Sequence, residues 1–108
     1  MTTLYSDSVA LAADARLLLP TILRKDQALG RRFKRSCDEV PVRVAEAMSS
    51  TGRAKRVEYA AALELTREAL ACIRAAVSVG YLSERDSEIE KSIEQLIERM
   101  VASSALAA

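Results

Sequence analysis

Histidine and tryptophan are absent from this 108-residue chain, and its aromatic residues are only Tyr5, Phe33, Tyr59 and Tyr81. Without histidine there is no Glu-x-x-His pair of the kind that builds a di-iron centre inside a helical bundle. The commonest general base and most zinc arrangements are missing for the same reason. Ser36, Ser49, Ser50 and Ser78 therefore have no histidine partner to activate a hydroxyl. The two cysteines, Cys37 and Cys72, offer no metal spacing. Each falls on an apolar helical stripe and reads as a reduced, buried thiol, the alternative being a disulfide or redox pair. Thr51-Gly52 is too short for a phosphate loop and reads as a turn. No stretch approaches the roughly 20 apolar residues that span a bilayer, and no basic segment leads into an apolar run with a cleavage site. A cytoplasmic protein with no catalytic residues, no cofactor, no metal and no membrane partner is expected.

Three glycines and two prolines also leave the chain few interruptions, while half of its residues are hydrophobic. Alanine, leucine, glutamate and arginine dominate, which is the composition of long helices and not of strands. The formal net charge is only +1, but it is unevenly spread. Residues 16–56 hold eleven basic and four acidic side chains, residues 57–108 five and nine, and residues 1–15 add only Asp7 and Asp14. Such polarity points weakly to nucleic acid or another acidic partner.

Apolar spacing divides the chain into four helices. The first runs from about Thr3 to Leu23, with Leu4, Leu11, Ala15, Leu18 and Ile22 on one face; Pro20 should kink or separate its last turn. Arg24 to Ala28 is a short polar connection. The second, about Leu29 to Ser49, places Leu29, Phe33, Cys37, Val40 and Val44 on one stripe. Pro41 should bend it without ending it. Ser49-Ser50-Thr51-Gly52 is a breaker cluster.

The third helix, about Arg53 to Val79, has two stripes: Tyr59, Leu63, Leu70, Ile73 and Val77, then Ala61, Leu65, Ala69, Cys72, Ala76 and Val79. An apolar surface that wide is covered on more than one side, and the alanine-rich stripe suits a helix of a neighbouring subunit. Gly80 should stop the helix in the left-handed conformation with Tyr81 folding back. Ser83 with Asp86 forms a capping-box variant opening the fourth helix, whose seam is Ile89, Ile93, Leu96 and Met100 and which should fray within Ala102 to Ala108. Short connections make neighbouring helices antiparallel, so residues 1–108 should form a single all-α, up-down-up-down four-helix-bundle domain.

Leu29 to Ala47 resembles the second helix of a bacterial four-helix-bundle family first noticed in intervening sequences of large-subunit ribosomal RNA genes. The likeness rests on Lys34-Arg35, on Val40-Pro41, and on Val44, Ala45 and Glu46. It extends to a relative, the accessory variability determinant of diversity-generating retroelements, through Leu18-Leu19-Pro20 and Gly80-Tyr81-Leu82-Ser83. The chain departs from the pattern at Ala47, where glycine is usual, and in its near-neutral charge. The resemblance implies a homopentameric ring. For the retroelement relatives it also implies a basic surface that binds nucleic acid and a reverse transcriptase.

The candidate nucleic-acid-binding residues are Arg31, Arg32, Lys34, Arg35, Arg43, Arg53, Lys55 and Arg56, which the second helix and its flanking turns should gather in one region. Clustering of this kind suits phosphate, because each contact releases counterions. With only Phe33 among them, base stacking is not expected, and RNA or DNA would be held by its backbone. The competing reading is a solvated face laced by Lys34–Asp38, Arg35–Glu39, Asp38–Arg35 and Glu39–Arg43 pairs. Ala61, Leu65, Ala69 and Ala76 are the candidate oligomer interface. Glu46 joins them through the family pattern, its alternative being a surface pair with Arg43 or Arg53.

Overall fold

Each helix of this chain has an apolar face, widest on the third, and these faces meet in one shared core. A computed structural model describes residues 3–106 and places α1 at Leu4–Lys25, α2 at Gln27–Met48, α3 at Gly52–Ser78 and α4 at Glu88–Leu106. No strand occurs among the described residues. The long axis of 42 Å is set by α3, whose 27 residues rise about 40 Å. α2 sits between α1 and α3 and packs extensively on both, α4 packs on α3, and α1 packs on α4 less closely.

The core draws on all four helices. Leu11, Ala15 and Ile22 come from α1, and Phe33, Cys37, Val40 and Val44 from α2. Ala62, Ala69, Ile73 and Ala76 come from α3, and Ile89, Ile93, Leu96 and Met100 from α4. The α2 and α4 seams are the ones their spacing predicts. Three hydroxyl residues are fully buried among them: Ser8, Ser36 and Thr66. Each satisfies itself on its own helix, donating to the carbonyls of Tyr5, Arg32 and Ala62 at 2.7, 2.9 and 2.7 Å. A hydroxyl bonded this way leaves little exposed polarity and behaves as a small core residue.

Several boundaries differ from expectation. Pro20 neither ends nor separates the last turn of α1, which continues through Arg24 and Lys25. The expected connection from Arg24 to Ala28 shrinks to Asp26, an extended residue at φ −157°. Asp26 closes α1 by donating its N–H to the Ile22 carbonyl, and opens α2 by accepting the Leu29 N–H at 3.0 Å. So tight a junction forces the chains together: a Cβ on Gly30 would lie 2.5 Å from Leu23 Cδ2. Pro41 lies inside an unbroken α2, as its position in a continuous stripe predicts.

The turn after α3 forms as expected. Gly80 takes φ +83°, and the N–H groups of Tyr81 and Gly80 return to the carbonyls of Ala76 and Val77 at 2.8 and 3.1 Å, closing a Schellman motif. Ser83 and Asp86 exchange the expected capping bonds. The residues from Glu84 to Ser87 nevertheless form turns, and α4 begins later, at Glu88. Of the segment expected to fray, α4 includes Ala102 through Leu106, and the last two residues lie outside the described ones.

The alanine-rich stripe of α3 requires a correction. Ala69 and Ala76 are fully buried within the single chain, beside Cys72. They contact the chain's own helices and are closed to a second subunit. Ala61 and Leu65 are half-buried, and Glu46 is exposed. The wide apolar surface of α3 is covered on its Cys72 side by α2.

Candidate nucleic-acid interface

The eight basic candidates do not share one region. Arg31, Arg32, Lys34 and Arg35 occupy the first half of α2, whereas Arg53, Lys55 and Arg56 occupy the opening turns of α3. From Arg31 to the end of α2 the helix rises about 26 Å, so the two groups mark opposite ends of the bundle, with Arg43 between them.

The group on α2 is engaged by acids. Arg32 Nε donates to Glu68 Oε1 at 2.6 Å, and Arg35 lies 3.7 Å from the same oxygen. The hydrogen bond from Arg32 holds the Glu68 carboxyl below the usual carboxylate range despite partial burial, and it raises the Arg32 guanidinium. Lys34 pairs with Asp38 at 2.8 Å, and Arg16 of α1 approaches the same carboxylate at 3.8 Å. Arg43 sits between Glu46 and Glu58, 3.4 Å from each. Of the four pairs expected within α2, the Lys34–Asp38 bridge forms. Arg35 and Arg43 instead reach α3. Glu68 and Glu58 are the functional neighbours that local spacing did not reveal.

The group on α3 has no such partners. Arg53, Lys55 and Arg56 form no ion pair among the described residues, and neither does Arg31. Three acids toward this end are engaged elsewhere: Glu46 and Glu58 by Arg43, and Asp7 by Arg99. Thr51 stands at the N-cap of α3 without a side-chain hydrogen bond, and the first turn contains no acid. Its free N–H groups and the positive end of the helix dipole add to the three cations. Cations are unfavourable at a helix N-terminus, so this turn concentrates positive potential at a cost to its own helix. The opposite end is balanced: Arg24, Lys25, Arg31 and Arg85 stand with Asp26, Glu84, Asp86 and Glu88.

The two thiols are poor chemistry. Burial pushes Cys37 up to about 12 and also raises Cys72, which keeps both protonated at neutral pH. Both are free. No group of residues that would hold a metal occurs among the described residues. No helix among them is long and apolar enough to cross a membrane.

Neither a family model nor a curated protein matches the sequence. The fold does have a solved counterpart. A protein of unknown function from the S23 ribosomal protein family of Bacteroides thetaiotaomicron superposes with a TM-score of 0.85 over 93% of this chain and 96% of that one. At 13% sequence identity the likeness concerns the four-helix architecture.

Proposed function

We propose that this protein is a non-enzymatic, cytoplasmic, homo-oligomeric scaffold that binds RNA or DNA through backbone phosphates at the α2–α3 end of the bundle. The observation that supports this reading most is the cluster Arg53, Lys55 and Arg56, unpaired and set around the uncapped N-terminus of α3. Phosphates are attracted to helix N-termini and to clustered cations, and here the two coincide. The α2 cations Arg31, Arg32, Lys34 and Arg35 contribute a weaker, partly neutralised field. Repetition of the site in an oligomer, a pentamer by resemblance, would add weak contacts through multivalency. A reverse transcriptase or other protein partner belongs to the same reading through the retroelement resemblance.

A mobility-shift titration with duplex DNA and structured RNA at about 50 mM salt tests it. Binding at micromolar protein that tolerates sequence is the expected result. The absence of any shift would favour a second reading, a protein-interaction ring without nucleic acid. The acids that engage Arg32, Lys34, Arg35 and Arg43 argue for that alternative.

A further inference from the structure

The seam between α1 and α4 is packed less closely than α1–α2, α2–α3 or α3–α4, and it is hollow. One hollow of about 300 Å³ has Asp7, Leu11, Asp14, Leu96 and Arg99 in its lining. A second, of about 270 Å³, is lined in part by Asp14, Leu17, Leu18, Asp86, Glu88 and Ile89. Asp14 and Ser92 belong to both, so the two join into one groove. Its α1 wall, from Asp7 to Leu18, rises about 17 Å, or about three helical turns. Leu11, Ile89 and Leu96 are buried members of the core and form an apolar floor. Leu17 stands on the rim, 78% exposed, more than any other large hydrophobic side chain among the described residues.

The solvent side of α1 is poor in charge as well. Between Tyr5 and Leu17 its exposed residues include Tyr5, Ser6, Val9, Ala10 and Ala13, and only Asp14 and Arg16 are charged. A solvated helix face carries charge along its length, as the exposed Arg53, Arg56, Glu64, Arg67 and Arg74 do on α3. Arg16 turns to Asp38 across the α1–α2 seam, which leaves Asp14 as the charge beside the groove. The groove itself is acidic. Four carboxylates, Asp7, Asp14, Asp86 and Glu88, line it against two guanidiniums, Arg85 and Arg99. Asp14, Asp86 and Glu88 have no ion pair among the described residues, while Arg99 is paired with Asp7. Even with Arg85 set against one of the others, an excess of two carboxylates remains. The neighbouring charges Arg24, Lys25, Glu84 and Lys91 stand outside the lining.

We propose that the α1–α4 groove receives a basic amphipathic helix from a partner protein. A channel between two antiparallel helices is a surface that a third helix fills by packing its ridges into their grooves. The apolar stripe of such a helix would cover Leu17 and Leu18 over about three turns. Lys or Arg side chains on its flanks would meet Asp14 and Glu88, whose charge no residue of this chain neutralises. The same carboxylates repel nucleic-acid phosphate and anionic lipid. A second copy of this chain is a poor occupant, because the cations along its α2 are already held by Glu68 and Asp38. The groove is also separate from the proposed nucleic-acid site, whose cations are on α2 and α3, so either can fail without the other.

Fluorescence anisotropy of a labelled Leu/Lys peptide of about 18 residues, long enough to form an amphipathic helix, tests the groove on the full chain. Binding at micromolar protein is expected, and a Leu/Glu peptide of the same pattern should not bind. Asp14→Lys combined with Leu17→Gln should weaken binding by about tenfold or more. Both side chains are exposed, so the circular dichroism spectrum should be unchanged, and Ser92→Lys takes their place should it not be. Glu64→Lys, an equal change of net charge on the exposed face of α3, should cost less than about twofold. The proposal is overturned if the Leu/Lys peptide does not bind. It is overturned equally if Glu64→Lys weakens binding as much as the groove variant, which would make the attraction one of net charge alone. If light scattering shows the unmodified chain to self-associate and Asp14→Lys abolishes that, the groove belongs to a second copy and the proposal is again overturned.

Discussion

The basic half of α2 and the first turns of α3 look alike as strings of residues and differ as surfaces. Arg31, Arg32, Lys34 and Arg35 are denser in cations than Arg53, Lys55 and Arg56, yet Arg32, Lys34 and Arg35 have a carboxylate within 4 Å and none of the α3 group does. Glu68 alone engages Arg32 and Arg35, from a helix 36 residues further on. Charge that a partner can use is thus decided by which acids the fold brings across a helix seam. The α3 turn keeps its charge because the nearby acids Glu46 and Glu58 are already engaged with Arg43.

Three changes would break or sharpen this contrast. The largest effect should come from reversing Arg53, Lys55 and Arg56 to Glu. Nucleic-acid affinity measured by fluorescence anisotropy should fall by about 100-fold with an unchanged circular dichroism spectrum, whereas Lys34→Glu with Arg35→Glu should cost only about threefold.

An intermediate effect is expected from Glu68→Ala, which releases Arg32 and Arg35. Affinity should rise a few-fold while the melting temperature drops by a few degrees. The pH dependence has a definite sign. A carboxyl whose folded pKa is depressed stabilises the fold above its unfolded value of about 4.3, and that contribution is lost as pH falls through the lower folded value. Thermal melts should therefore show the unmodified chain losing its advantage over the variant as pH falls below about 4.

The smallest effect belongs to Thr51→Asp. A carboxylate at the N-cap should stabilise α3 by about 0.5–1 kcal/mol in chemical denaturation and slightly weaken nucleic-acid binding, separating the stability of that turn from its proposed use.

Much of the fold was legible because its signals are local. The Phe33–Val44 stripe, the Ile89–Met100 seam and the Gly80-Tyr81 stop each depend on residues within a few turns of one another. Other features needed the folded chain. Ser8, Ser36 and Thr66 read as polar until their hydroxyls are seen bonded to their own helices. Asp26 serves two helices at once, which hides the α1–α2 junction inside what looks like a five-residue connection. The width of the α3 stripe predicted that something covers Ala69 and Ala76, but an apolar stripe does not say whose helix does so. The contrast between the two basic groups was illegible for a related reason: Glu58 and Glu68 lie on α3, beyond the reach of neighbour spacing along α2.

The most direct test of phosphate binding at the α3 turn is the salt dependence of affinity. Binding of a duplex is measured between about 50 and 200 mM salt for the unmodified chain and for a variant with Arg53, Lys55 and Arg56 replaced by Ala. The slope of log affinity against log salt reports the phosphates neutralised, about 0.9 per contact on duplex DNA. The account predicts a steep slope that becomes shallower by nearly three per bound protomer in the variant. An unchanged slope, or no binding by the unmodified chain at the lowest salt, would contradict it.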